Sequence, residues 1–233
     1  MSRIKWAVLL LVLLSCGLLL PCTQKVREDE GWVRSAYSLH QIGIALQAYH
    51  EDNGHLPPAV VRGKSGQPLY SWRVFLLPYL DEDSLYRQFR LDEPWDSAQN
   101  SKLLEQSPRC YDPALGGNDD PGLTRYQVFV GPGTAFERDG LTWTDFPNRL
   151  SDTLLVVEAG HPVPWSKPAD LSYDPAGPLP PLGGAFGMPV HVLCYELWRT
   201  AGFNACMADG STRFIPSDTD EKALRGLINR GAP

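Results

Sequence analysis

An apolar run near the N-terminus constrains this chain more than any other feature of its sequence. The run extends from Ile4 to Leu20 and contains a single charge, Lys5, with Arg3 just before it. At about 1.5 Å of rise per residue, a helix of roughly 17 residues spans about 25 Å, slightly less than a bilayer core. Because the positive charges lie at its start, the run predicts a membrane helix with a cytoplasmic N-terminus.

The remaining chain is predicted to form one domain outside the cytoplasm. A total of 233 residues leaves room for one sizeable domain behind the anchor. We therefore assign residues 1–23 to a membrane anchor and residues 24–233 to the extracytoplasmic domain of a single-pass cell-membrane protein. Twenty-one prolines and 21 glycines indicate many turns and long irregular connections in this domain.

Two other interpretations of the apolar run stay open. A cleaved signal peptide has the same positive start and apolar core, although no small-x-small triplet precedes Lys25. A lipoprotein signal is the other, because residues 13–16 have the form of a lipobox and would make Cys16 the lipidated residue. The apolar residues 17–20 that follow are atypical of a mature lipoprotein. All three interpretations place the remaining chain outside the cytoplasm.

Charge and cysteine pattern argue against several function classes. The formal net charge of −6 and the lack of any Lys/Arg cluster argue against nucleic acid as a partner. The five cysteines form no Cys-x-x-Cys pair, so a zinc or redox site of that type is not expected. In an oxidising compartment, a disulfide between Cys194 and Cys206 is the first pairing to expect, because both flank one C-terminal strand region.

The segment after the apolar run has helical periodicity. Val33, Tyr37, Ile42, Leu46 and Tyr49 recur near helical spacing from residue 24 to residue 53, with polar residues between them. The following Asn-Gly pair is a typical helix end, and two prolines soon after prevent continuation. We predict one long helix whose Ile42, Leu46 and Tyr49 side chains pack on a sheet.

Four segments of the C-terminal two-thirds predict that sheet. Residues 126–130, 153–158, 203–208 and 211–215 read as strands of a small antiparallel sheet. Asp209-Gly210 between the last two predicts a tight hairpin with a type I′ turn. Short helices are expected near residues 71–77 and 83–89 and at 221–229, the last capped by Ser217 or Asp218. A long Pro/Gly-rich loop is expected over residues 162–189.

These segments also match a known family in order along the chain. The matching stretches are residues 39–50, 71–80, 94–96, 109–110, 130–134, 152–158, 164–168 and 208–211. In them the chain resembles the pseudopilin-like proteins of unknown function that carry a C-terminal His-x9-Asp-Gly motif. That family is numerous in planctomycete-type bacteria and is named for similarity to the type II secretion pseudopilin G. The resemblance implies an α+β fold in which one long N-terminal membrane helix packs on a small antiparallel sheet with long Pro/Gly-rich loops.

The chain departs from the family pattern at three places. It lacks the prepilin signal before the apolar run, which puts filament assembly in question. Arg199 stands where the motif histidine would fall, ahead of Asp209 and Gly210. Ser35 stands where the family often has a cysteine, which leaves Cys110 without that partner. We interpret Arg199, Asp209 and Gly210 as structural motif positions, with Asp209 in the turn or paired with Arg199.

No catalytic or metal-binding pattern is present in the sequence. Gly-x-Ser-x-Gly, a phosphate-binding loop and EF-hand spacing are all missing. His40 and His50 would lie about 15 Å apart along one helix, too far to share a metal. We therefore expect no enzyme activity and no cofactor.

Two functional hypotheses follow. The first is a structural or interaction protein of the cell envelope whose partners are the membrane and envelope or secretion-system proteins. The second is a module that binds an extracellular ligand such as a glycan. In the second, tryptophans would line a groove, although core filling is the alternative for the same residues: Trp72, Trp95, Trp143, Trp165 and Trp198.

Overall fold

A computed structural model of the chain describes residues 31–112, 122–183, 191–192, 195–196 and 201–231. None of the helices in these ranges combines the length and the apolar character needed to cross a membrane. The first of them has polar residues on both faces, among them Arg34, Ser35, Ser38 and Gln41. The predicted membrane-spanning helix and the single-pass localisation are therefore wrong for the described part of the chain. The assigned anchor at residues 1–23, with Cys16, lies outside it.

The described elements form an α+β arrangement with antiparallel pairing. Helix α1 covers residues 31–53, and short 3-10 helices occur at Leu77–Leu80, Asn100–Gln106, Trp143–Asp145 and Leu150–Asp152. The other elements, in chain order, are β1 (Val60–Arg62), β2 (Pro68–Ser71), α2 (Trp72–Phe75), α3 (Asp83–Tyr86), β3 (Leu123–Gln127), β4 (Phe129–Val130), β5 (Leu154–Pro164), β6 (Leu171–Ser172), β7 (His191–Val192), β8 (Tyr195–Glu196), β9 (Gly202–Met207), β10 (Thr212–Pro216) and α4 (Glu221–Ile228).

The central sheet contains the four predicted strand regions in the order β10-β9-β5-β3. All three neighbouring pairs are antiparallel, as expected. One segment differs, because Phe129–Val130 leaves the sheet and pairs in parallel with β6. A second difference is that β5 continues to Pro164, into the stretch predicted as loop.

The β9–β10 hairpin forms where predicted but with another turn. Gly210 has a φ of +82°, whereas Asp209 does not enter the positive-φ region that a type I′ turn requires at both central residues. The amide of Gly210 donates to Met207 O at 2.9 Å, and the amide of Met207 donates to Ser211 O at 2.8 Å. These bonds describe a three-residue loop with glycine in the left-handed position. The predicted type I′ turn is therefore wrong, although its glycine is used as expected.

Helix α1 ends where the sequence predicts. Gly54 follows it with a φ of +76° and donates its amide to His50 O at 2.8 Å. At the other end of the domain, α4 begins after Asp220, whose carboxylate accepts from the Ala223 amide. The cap predicted at Ser217 or Asp218 is thus two or three residues too early.

Helix α1 packs on the sheet through one face of its surface. Ile42 and Leu46 are fully buried and Tyr49 is nearly so, in a core that includes Val156 of β5 and Cys206 of β9. At roughly 100° per residue, Val33 and Tyr37 point almost opposite to Ile42. They are 70% and 61% exposed. The single stripe predicted along the helix is therefore two separate apolar faces.

Candidate functional site

The outer face of α1 carries three of the four exposed large apolar side chains of the described residues. These three are Val33, Tyr37 and Ile44. Their spacing of four and seven residues places them on one side of the helix. Exposed apolar residues gathered on one element indicate a contact surface, whereas scattered ones need no explanation. We call these three residues the outer seam.

A groove of about 530 Å³ runs beside the outer seam. Tyr37 and Ile44 line one wall, and Leu80, Asp81 and Arg109 lie across from them. Asp81 has a φ of +60° and is the non-glycine residue with positive φ in the described part of the chain. Asp81 is the left-handed C-cap of the 3-10 helix Leu77–Leu80, and its amide donates to Leu77 O. The groove therefore combines apolar walls with both signs of charge.

The inner face of α1 carries two buried serines near its start. Ser35 and Ser38 are buried there against the sheet. The Ser35 hydroxyl donates to Oε1 of Glu158 on β5, and the Asn204 amide of β9 donates to Oε2 at 2.8 Å. The Asn204 side chain donates in turn to the Trp32 carbonyl oxygen at 3.2 Å. One carboxyl group thus links the first turns of α1 to two strands.

Burial controls the protonation of this cluster. Glu158 is 4% exposed, and loss of hydration raises its pKa from 4.5 to about 7. Hydrogen bonds from Ser35 and Asn204 and the charge of Arg125 act in the opposite direction. Burial also raises the pKa of the Cys110 thiol to about 12, so this thiol is not an activated nucleophile. A carboxyl group that titrates near neutral pH is the distinctive chemical feature of the site.

The predicted motif turn contacts the middle of α1. Gln47 Nε2 donates to Ala208 O at 2.8 Å, and His40 Nδ1 lies 3.2 Å from Gly210 O. Gly43 allows this approach, since a Cβ there would lie 2.6 Å from Cys206 Sγ. These contacts join the hairpin loop to α1.

The structure describes only one partner in each of the two pairings predicted near the motif turn. Asp209 is exposed and accepts from the Ser211 amide and hydroxyl, at 2.9 and 2.6 Å. Arg199 lies outside the described residues, so its pairing with Asp209 stays a prediction. Cys206 is buried and Cys194 lies outside the described residues, so that pairing stays a prediction as well.

The core contains a buried ion pair that the sequence did not reveal. Arg73 is fully buried and lies 2.7 Å from Oδ1 of Asp170. Its guanidinium also donates to Tyr126 O and to the Ser71 hydroxyl. The same Asp170 oxygen accepts from the Val128 amide at 3.0 Å. The one available signal was a lone charge in the otherwise apolar stretch from Trp72 to Leu77.

The tryptophans proposed as groove residues divide into two groups. Trp72 and Trp165 are fully buried, and Trp165 stacks on Tyr111 with ring centroids 5.9 Å apart. Trp95 and Trp143 are half-buried, and Trp198 lies outside the described residues. Core filling therefore explains the two most buried rings. Within the described residues, no cluster of three or more His, Cys, Asp or Glu side chains is arranged to hold a metal ion.

Comparison with known families adds one finding. Residues 34–135 match a family described as "Protein of unknown function (DUF1559)". No curated protein matches the chain, and no solved structure matches it. The DUF1559 match begins in α1, includes Arg73 and ends before β5. It therefore leaves out Asp209 and Gly210, so the C-terminal motif and the likeness to pseudopilins stay predictions.

Proposed function

We propose that this protein is a non-catalytic interaction protein of pseudopilin-like type that binds a helix of another envelope or secretion-system protein through the outer seam of α1. The observation that supports this best is the concentration of exposed apolar side chains on one face of that helix. Single exposed apolar residues are ordinary, but a seam at helical spacing beside a groove fits the helix-in-groove mode of recognition.

The partner inferred here is a helix because of the shape of the seam. Val33, Tyr37 and Ile44 follow one another in steps of four and seven residues, which is the spacing at which two helices interdigitate. The groove beside them offers Asp81 and Arg109 for polar contacts at its edge. Three side chains cover much less than the roughly 800 Å² that each partner buries in a stable complex. We therefore expect weak, transient binding.

Glycan binding, the second hypothesis, receives less support from the tryptophans. A sugar-binding groove needs exposed aromatic faces, whereas Trp72 and Trp165 are fully buried in the core. The buried hydrogen bond from Trp165 Nε1 to Leu104 O, at 3.2 Å, gives this ring a structural partner.

Site-specific photocrosslinking tests the proposal. A photoreactive phenylalanine analogue replaces Tyr37 or Ile44 in the full chain, and Lys222 on α4 is the exposed control position. Crosslinks from positions 37 and 44 should reach one partner protein, at partner sites three or four residues apart. Crosslinking no stronger than at position 222 would exclude the seam as an interface. Partner sites without helical spacing would exclude a helix as the occupant.

A paired substitution gives an independent measure of the same interface. Tyr37→Ser with Ile44→Ser removes two exposed apolar side chains and leaves the core intact, so the fold should be retained. Crosslinking from position 33 should then fall at least about fivefold, since each lost anchor costs about 1 kcal/mol or more of binding. Unchanged crosslinking would show that the seam contributes nothing.

A further inference from the structure

The groove beside the outer seam is acidic where it faces the C-terminal part of α1. There the Tyr79 ring lies 5.8 Å from the Tyr49 ring, and the Tyr79 hydroxyl donates to Asp52 at 3.1 Å. Asp81 and Glu82 follow Tyr79 closely in the chain, and both line the groove. The contacts of Tyr79 therefore place the Asp81 carboxylate on the side of the groove that lies toward the end of the helix.

The other end of the groove is basic. Arg109 lines it, and Asp112 interacts electrostatically with both Arg109 and Arg34, which belongs to the first turns of α1. Arg34 thus locates this end beside the start of the helix, and Arg109 is the charge that the groove presents there. Glu82 lies between the two ends, since it interacts with the Cys110 thiol. The groove therefore changes from positive to negative along α1.

Backbone contacts hold the two rim charges in place. Asp81 is exposed, and its amide donates to Leu77 O. Arg109 is exposed as well, and its carbonyl oxygen accepts from the Asp112 amide at 3.3 Å. Both side chains therefore stand at the surface with their charged groups in contact with solvent. Charges at the rim of an interface select and orient the partner more than they add affinity.

This order of charges discriminates between helices that could enter the groove. A wholly apolar helix would displace water from Asp81 and Arg109 and offer nothing in return. A helix with one sign of charge would be attracted at one end and repelled at the other. The wall from Tyr37 to Ile44 covers about 10 Å of helix, or about two turns. Two opposite charges at that separation on a partner helix would meet both ends of the groove.

We propose that the partner helix carries two opposite charges about two turns apart, a Lys or Arg that meets Asp81 and an Asp or Glu that meets Arg109. They flank the apolar side chains that contact the outer seam. This inference rests on the proposed function, because it takes a helix as the occupant. It adds which helices bind: the seam by itself accepts any apolar helix, whereas the two ends of the groove reject a helix of uniform charge.

Three hydrocarbon-stapled helical peptides test this selectivity on the full chain, by fluorescence anisotropy at low salt. All three present leucines in steps of four and seven residues, and they differ only at two flanking positions two turns apart. These positions hold one Glu and one Lys, two Lys, or two Glu. The mixed peptide should bind about fivefold more tightly than either of the others, since each of those replaces an attraction with a repulsion. Attraction to the net charge of −6 alone would favour the two-lysine peptide.

Substitutions assign each preference to one end of the groove. Arg109→Gln should abolish the preference for the mixed peptide over the two-lysine peptide. Asp81→Asn, which keeps a residue that tolerates positive φ, should abolish the preference over the two-glutamate peptide. Lys64→Gln and Glu105→Gln, at exposed positions outside the groove lining, should keep the wild-type preferences.

The outcomes separate this inference from the proposed function. Equal affinity for the three peptides, or tightest binding of the two-lysine peptide, would overturn the charge selectivity. If that binding still weakened in Tyr37→Ser with Ile44→Ser, the seam would remain an interface. Binding of none of the three peptides would refute the proposed association and the charge selectivity with it.

Discussion

The two ends of α1 are attached to the same domain by different physics. Near its N-terminus the buried face presents Ser35, which contacts the carboxyl group of Glu158. Toward the C-terminus the same face presents Leu46 in the apolar core, and His50 stacks on Trp143 with centroids 4.7 Å apart. Hydrophobic burial is strong and nondirectional, whereas a buried hydrogen bond contributes little net stability and depends on geometry and protonation. The C-terminal part of α1 is therefore held by apolar packing, whereas the N-terminal part depends on the geometry of a few buried hydrogen bonds.

The two ends also respond to pH in opposite directions. Burial of Glu158 raises its pKa to about 7, so the folded protein loses stability as the pH rises. Burial lowers the pKa of His50, with a further contribution from the charge of His55, so acid weakens the other end. The His50 ring is neutral in the docked state, since its Nε2 accepts from the Trp143 amide at 3.3 Å.

The largest effect is expected at the apolar end. Leu46→Ala leaves a cavity in a fully buried site and should lower the free energy of unfolding by about 3 kcal/mol, at every pH. Ile44→Ala, two residues away on the outer face, should change it by less than about 0.5 kcal/mol. Urea denaturation measures both. Equal losses would show that α1 is not anchored by its inner face.

The middle of the helix should show a rescue by a second substitution. Gly43→Ala places a methyl group 2.6 Å from Cys206 Sγ and should cost about 1–3 kcal/mol through overpacking. Cys206→Ala removes that sulfur, so the double variant should recover part of the loss. Thermal unfolding of the four chains measures the coupling. Strictly additive losses would place the clash elsewhere, at the Gly210 backbone.

The polar end should make the protein less stable as pH rises. The folded pKa of Glu158 lies above its ordinary value, so its stabilising contribution is complete below pH 4.5 and is lost as the pH rises through about 7. The upper limit is about 3 kcal/mol, since each tenfold change in an equilibrium constant corresponds to about 1.4 kcal/mol. In Glu158→Gln the urea midpoint should no longer depend on pH between pH 5 and pH 8, whereas Glu105→Gln should keep the wild-type dependence. A wild-type midpoint that rises with pH in this range would contradict the assignment.

The smallest effect is expected at His50. Its folded pKa lies below 6.5, so its contribution is present above pH 6.5 and is lost as the pH falls through the folded value. The ring is half-buried, and the change should be smaller than that at Glu158. His50→Asn should remove the acid-side loss in midpoint between pH 7 and pH 5. His161→Asn, at an exposed position of β5, serves as the control and should behave as the wild type.

Sequence reasoning located the elements of this fold better than it located the site. The end of α1, the sheet strands and the hairpin glycine follow from local signals such as periodicity and turn chemistry. The two apolar faces of α1 could also have been separated, because the angle between Tyr37 and Ile42 follows from helix geometry alone. Glu158 was visible only as the last residue of an apolar strand pattern. Its role depends on Ser35, 123 positions earlier in the chain.

Local signals in the sequence were enough to place the end of α1, the four segments of the central sheet and the glycine of the hairpin turn, since each depends on residues a few positions apart. The contact between Glu158 and Ser35 and the pairing of Arg73 with Asp170 could be seen only in the folded chain, because burial and pairing depend on which distant segments meet. A charged side chain has the same local pattern whether it faces water or another element, and its pKa is set only when that contact forms.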